Sequence, residues 1–185
     1  MSPILVRPVR EQLEHDRIIR LLHARLRRRF DVVVNLGPEQ ATPVRVGRLV
    51  LFPDLVLTST GRGRKLAGVV EVETGESVNH LEAMAQWAHF SRVRVPFSLY
   101  VPAGSVDMAR RLCANHQVTA AEIWSYHSLG GQVRFTLVHR APAPPAASRR
   151  RAARAGARKP ARRASGRPAK RRTPSRKAGR SQKRK

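Results

Sequence analysis

Pro53-Asp54-Leu55-Val56-Leu57-Thr58 and Leu66-Ala67-Gly68-Val69-Val70-Glu71-Val72-Glu73 are the stretches that decide the fold. Both are rich in β-branched and aliphatic residues, and Gly61-Arg62-Gly63-Arg64 between them has the composition of a turn. They read as two antiparallel neighbouring strands. Proline has no N–H for a sheet ladder, so Pro53 marks a bend, a bulge or a sheet edge. Residues two apart on a strand share a face. Glu71 and Glu73 therefore stand side by side, flanked by Val69, Val70 and Val72. The strands either side of the turn have similar lengths, which lets Asp54 lie opposite that pair.

Working outward, Pro8 to Phe30 has helical spacing in Leu13, Ile18, Ile19, Leu22 and Leu26, with Pro8 suited to a first turn. Asp31 to Leu36 is a β-branched strand closed by Gly37-Pro38. Gln40 to Arg45 reads as a loop, and Arg48 to Phe52 as strand. After Thr74-Gly75, Ser77 is a plausible N-cap for a helix from Val78 to Arg92, in which Ala83, Gln86, Trp87 and Phe90 share a face. Phe97 to Val101 is a strand, Ser105 caps a helix over Val106 to Asn115, and Glu122 to His127 and Gln132 to His139 form a hairpin about Gly130-Gly131. The order α-β-β-β-α-β-α-β-β predicts an α/β domain with one mixed central sheet and helices on its faces. No G-x-G-x-x-G opens a helix after a strand, and there is no Walker loop and no G-x-S-x-G.

The charge divides the chain. Of its 185 residues, 37 are Lys or Arg and 12 are Asp or Glu, a net charge of +25. Up to Arg140 there are 19 basic against 12 acidic residues, and the stretch 141–185 adds 18 basic residues and no acid. A folded domain over 1–140 and a polycationic tail over 141–185 follow. The tail holds no aromatic residue and no aliphatic residue larger than alanine, so it cannot bury enough apolar surface to offset ordering, and is expected to be disordered in isolation. Its clusters, Arg149-Arg150-Arg151, Arg158-Lys159, Arg162-Arg163 and Lys170-Arg171-Arg172, suit the phosphates of DNA or RNA without sequence preference. They resemble the basic tails of linker histones. A single cysteine, Cys113, excludes an internal disulfide and a cysteine-based zinc site. No apolar run is long enough to cross a bilayer and no signal-peptide pattern opens the chain, so a cytoplasmic, nucleoid-associated protein without a membrane partner is expected. The oligomeric state stays open, with a homodimer as one alternative.

Carboxylates gathered on one sheet surface repel unless a cation joins them. Oxygen ligands favour Mg²⁺ or Mn²⁺, which can stabilise charge on a phosphoryl group and lower the pKa of a bound water. The plainer alternative is that Glu71 and Glu73 form an exposed edge pair matched to Arg45 or Arg48.

Pro53-Asp54, sixteen residues, and Glu71-Val72-Glu73 resemble the signature of the PD-(D/E)XK, restriction-endonuclease-like nuclease superfamily. Its α-β-β-β-α-β core matches the order read from Pro8 to Val101, leaving an added helix and a C-terminal hairpin. The resemblance implies a metal-dependent endonuclease that hydrolyses phosphodiester bonds of DNA, with Asp54 and Glu71 as ligands. An acid of the first helix, Glu14 or Glu11, would join the metal. Some members carry Gln-x-x-x-Tyr on the next helix. Gln86-Trp87-Ala88-His89-Phe90 matches it with Phe for Tyr, which makes Gln86 a candidate to orient water or phosphate; a structural hydrogen bond is the alternative. The superfamily's lysine falls at Glu73. Lys65 is six residues from Glu71, roughly 20 Å along a strand, too far to replace it. Glu73 would then act as ligand or general base. Loss of the lysine equally fits a catalytically inactive nuclease fold that binds nucleic acid or serves in nucleoid architecture. Glu14 has its own alternative, an i, i+3 pair with Arg17 on a solvated face.

Overall fold

The computed structural model of the chain describes residues 8–37 and 41–142. The chain divides into two units, Met1–Ala143 and Pro144–Lys185. The basic clusters from Arg149 to Arg172 lie outside the described residues.

Helix α1 (Val9–Leu26) buries His15, Ile18, Ile19 and Leu22, one stripe at helical spacing. It ends at Leu26 rather than at Phe30. The residues after it form a turn, and Phe30 opens strand β1 (Phe30–Val34). Strands β4 (Leu55–Ser59), β5 (Leu66–Val72), β6 (Phe97–Pro102), β7 (Glu122–Leu129) and β8 (Gln132–Arg140) join β1 in a mixed sheet of order β1-β4-β5-β6-β7-β8. The β5–β6 and β6–β7 pairs are parallel, and the others antiparallel. Within this sheet and its helices the order is the α-β-β-β-α-β-α-β-β expected from sequence. The strand read over Arg48 to Phe52 is β3 (Leu49–Leu51), which stands outside this sheet. The stretch read as loop to Arg45 contains β2 (Val44–Val46), which pairs with β3 (Leu49–Leu51) as a separate two-stranded sheet turned at Gly47, φ 60°.

Period-two alternation sorts the strand residues into two layers. Leu55, Leu57, Val70, Val72, Tyr100 and Tyr126 pack with Ile18, Ile19 and Leu22 of α1. Val56, Val69, Leu99, Val101 and Ile123 pack with Trp87, Phe90, Ala109 and Leu112 on the opposite face. That second layer comes from α4 (Val106–Asn115) and from an irregular helix over 80–90. There the α-helical turns α2 (His80–Glu82) and α3 (Ala88–Phe90) flank a π turn, Ala83–Trp87. Asn79, not Ser77, caps its start: the Asn79 side chain accepts from the N–H groups of Leu81 and Glu82. Ser77 instead accepts from the Thr74 N–H. Ser105 stands at the N-cap of α4 without a side-chain capping bond. Gly130 and Gly131, φ 55° and 79°, make the two-residue β7–β8 turn, in a region that other residues enter only with strain. No helix among the described residues is long and apolar enough to cross a membrane.

Candidate functional site

Asp54 is fixed by the bend before β4. Asn35, just beyond β1 and buried, donates from Nδ2 to the Pro53 carbonyl at 2.7 Å, and its N–H donates to the Asp54 carbonyl at 2.9 Å. The bend is thus held on both sides of the proline. In the β4–β5 register Leu55 stands against Val70, so Asp54 and Glu71 meet at the next step. The Asp54 N–H donates to Glu71 Oε2 at 3.2 Å, and the Val72 N–H donates to Asp54 Oδ2 at 2.8 Å. The two carboxyl groups therefore share one stretch of ladder.

Helix α1 closes over the same point. His15 Nε2 lies 3.2 Å from Asp54 Oδ2, with the ring N–H as donor, and its Nδ1 is 3.6 Å from Asp16 Oδ1. Asp54 Oδ2 thus receives both a backbone and an imidazole contact, while Oδ1 takes no hydrogen bond among the described residues. One turn earlier on α1, Glu11 Oε2 accepts from Thr74 Oγ1 at 3.3 Å. Glu14 does not join this group: it is exposed on α1, and the helical residue that reaches the acids is its neighbour His15. The Arg17 guanidinium, expected to pair with Glu14, donates instead to the Gly131 carbonyl.

Glu71 and Glu73 are only 3% and 0% exposed, which removes the alternative of an edge pair matched to Arg45 or Arg48. Strand β5 lies between β4 and β6, with both sheet faces covered. Glu73 has an anchoring geometry. Its Oε1 accepts from the Trp87 indole at 2.7 Å, its carbonyl accepts from the Tyr126 hydroxyl at 2.8 Å, and its N–H donates to the Tyr100 carbonyl at 2.8 Å. Gln86 is turned to a different acid: its Nε2 donates to Glu82 Oε2 at 2.7 Å. Among the described residues, no three His, Cys, Asp or Glu side chains form a group arranged to hold a metal ion. Of the expected constellation, Asp54 and Glu71 come together, Glu73 serves Trp87, Gln86 serves Glu82, and Glu14 faces solvent.

The chain matches no protein-family model, no curated protein and no solved structure.

Sequence reasoning missed His15, Asn35 and Glu82. His15 was within reach of it, because it falls on the stripe Ile18, Ile19, Leu22 and a polar residue there must find a buried partner. Asn35 carried a weaker signal, an amide at a strand end facing a proline bend eighteen residues away.

Proposed function

We propose that the chain is a Mg²⁺- or Mn²⁺-dependent DNA endonuclease built on a restriction-endonuclease-like, PD-(D/E)XK core and tethered to nucleic acid by its basic tail. The observation that carries this reading is the Asp54–Glu71 junction: two carboxyl groups locked to one ladder position beside a proline bend. The order α1-β1-β4-β5-helix-β6 supports it, being the α-β-β-β-α-β order of that superfamily. RNA is the alternative polymer, and the nucleoid the expected location.

The residues fit the cation. Asp54 and Glu71 offer only hard oxygen donors, and Asp54 Oδ1 takes no hydrogen bond among the described residues. Mg²⁺ is commonly held through one or two carboxylates, with waters and substrate phosphates completing the shell. A third protein carboxylate is therefore unnecessary. Asp54 and Glu71 would hold the ion, which when bound supplies Lewis-acid stabilisation of the phosphoryl group and a more acidic water. The chain's other groups orient these two. His15 and the Val72 N–H fix Asp54 Oδ2, the Asp54 N–H fixes Glu71 Oε2, and Glu73 ties the 80–90 helix to the sheet through Trp87. The tail arginines and lysines neutralise phosphates and keep the polymer near.

Full-length protein is expected to nick plasmid or branched DNA with Mg²⁺ or Mn²⁺, and to bind Mn²⁺ stoichiometrically. Asp54→Asn and Glu71→Gln should lose both properties. No cleavage of supercoiled, linear, branched or single-stranded DNA with either metal would overturn the reading. One observation favours a second reading, a nuclease fold that binds without cutting. Glu73 stands where the superfamily has lysine, and Lys65 is exposed beside Ser59 at the other end of the hairpin. In that case Asp54→Asn leaves DNA affinity unchanged.

A further inference from the structure

Away from the carboxyl groups, the β2–β3 hairpin, the turn end of β4 and β5, and the segment after α3 enclose an open groove of about 590 Å³. Among the described residues, Arg45, Arg64, Arg92 and Arg94 line it and no acidic residue does. Arg64 is paired with Asp31. Arg45, Arg92 and Arg94 are exposed and form no ion pair or side-chain hydrogen bond among the described residues. Val44-Arg45-Val46 and Arg92-Val93-Arg94-Val95 have the same alternation. In each the valines are buried or half-buried and the arginines project into solvent. The result is an apolar floor with a cationic rim of one sign, an arrangement that concentrates polyanions.

We propose that this groove is a second nucleic-acid contact, on the folded domain, seating the sugar–phosphate backbone of one DNA strand. Arg45, Arg92 and Arg94 would take phosphates, and the valine floor the sugars. A site for a lone phosphate gathers its donors around one buried point. Here the arginines are exposed, come from two separate segments and border an apolar surface, which suits a repeating polyanion. The groove reaches Val56 and Thr58 of β4. Thr58 is four residues from Asp54, about 13 Å at ~3.3 Å per residue, or about four nucleotides at the ~3.4 Å axial spacing of a duplex strand. The inference goes beyond the proposed hydrolysis, because seating the polymer does not require the carboxyl groups to act.

The test is binding of the full chain to a labelled DNA duplex in EDTA, by fluorescence anisotropy across a salt series. Each phosphate contact contributes about 0.9 to the slope of log K against log salt. The triple variant Arg45→Ala, Arg92→Ala, Arg94→Ala is expected to flatten that slope by about 3 and to lose affinity on the order of 10²-fold at 0.1 M salt. A control lacking equal charge elsewhere on the domain, Arg10→Ala, Arg111→Ala, Arg134→Ala, should keep the slope, as should replacement of the three groove arginines by lysine. All of these variants retain the tail. Equal slopes for the groove and control variants would overturn the proposal. So would competition by a mononucleotide or tripolyphosphate as effective, per molecule, as that by an unlabelled oligonucleotide. The slope is read in EDTA, where no metal-dependent cleavage occurs, so a failure of the nuclease reading and a failure of the groove give different results.

Discussion

Replacing Trp87 by Phe separates the two roles open to Glu73. The indole is fully buried and donates to Glu73 Oε1 at 2.7 Å. Phenylalanine keeps the aromatic body and removes the donor. Loss of a buried hydrogen bond of this kind costs about 1–3 kcal/mol, and the space left by the smaller ring adds about 1 kcal/mol. The sum, about 3 kcal/mol, is a large share of the 5–15 kcal/mol typical of a domain, and corresponds to a fall in Tm of roughly 10 °C. Urea denaturation followed by circular dichroism measures it directly. Glu73→Gln is the companion variant. The amide oxygen still accepts from the indole, so a structural Glu73 predicts that Glu73→Gln retains DNA nicking within about tenfold. A metal ligand or general base at that position predicts its loss. A Trp87→Phe cost below about 1 kcal/mol, or abolished nicking in a well-folded Glu73→Gln protein, would refute the assignment of Glu73 to the helix anchor.

Three further outcomes follow from particular contacts. His15 reaches from α1 to hold Asp54 Oδ2, so His15→Ala should lower Mn²⁺ affinity about 10- to 100-fold; an unchanged Mn²⁺ titration would contradict this. Burial raises the Cys113 thiol from 9.0 to about 11. It also raises the Tyr100 phenol from 10.0 to about 12, outweighing the lowering by Arg25, with Glu122 adding to the rise. The unfolded chain releases these protons first, so the folded state binds more protons in both windows. Stability therefore falls as pH rises from 9 to 11 through Cys113 and from 10 to 12 through Tyr100, by at most about 1.4 kcal/mol per pH unit for each group. A urea midpoint that stays level from pH 9 to 11, or a Cys113→Ala protein as alkali-sensitive as the parent, would count against it. Gly131→Ala places a Cβ at φ 79° in the β7–β8 turn and should cost about 1–2 kcal/mol in the same denaturation assay.

The succession of helices and strands along the chain was legible because each main strand carries its own local signal. The β4–β5 hairpin has β-branched runs about a glycine-rich turn, and Gly130-Gly131 dictates a two-residue connection. Strand β2, unlike its partner β3, was not legible: Val44-Arg45-Val46 alternates over three residues only, too few to distinguish a strand from a loop. The burial of Glu71 and Glu73 was hidden for another reason. A strand's sequence fixes which residues share a face, but not which strands flank it. Glu71 and Glu73 are interior because β6, parallel to β5, makes β5 a central strand and the helices cover both faces of the sheet there. That pairing is a long-range fact. The Asp54–Glu71 meeting, by contrast, is local to one hairpin; the strand lengths allowed Asp54 to lie opposite the pair, and the register shift between Leu57 and Thr58 sets Glu71 as its partner.

Gln86 and Trp87 show why motif spacing transferred poorly across the 80–90 helix. Gln-x-x-x-Tyr assumes a helix of 3.6 residues per turn, in which a glutamine projects at a fixed angle from the strand before it. The π turn Ala83–Trp87 inserts an extra residue into that ladder, so the regular spacing does not carry through it. The side chain that meets the Glu73 carboxyl group is the Trp87 indole, and the Gln86 amide goes to Glu82 one turn back. A lysine at position 73 would face this indole, which is a donor and cannot accept from an ammonium group. Glutamate accepts from it. Glu73 and Trp87 are therefore complementary, and a glutamate at this position suits the helix that covers it. Glu73→Lys should therefore unfold or loosen the 80–90 helix, because it buries a cation against an N–H donor.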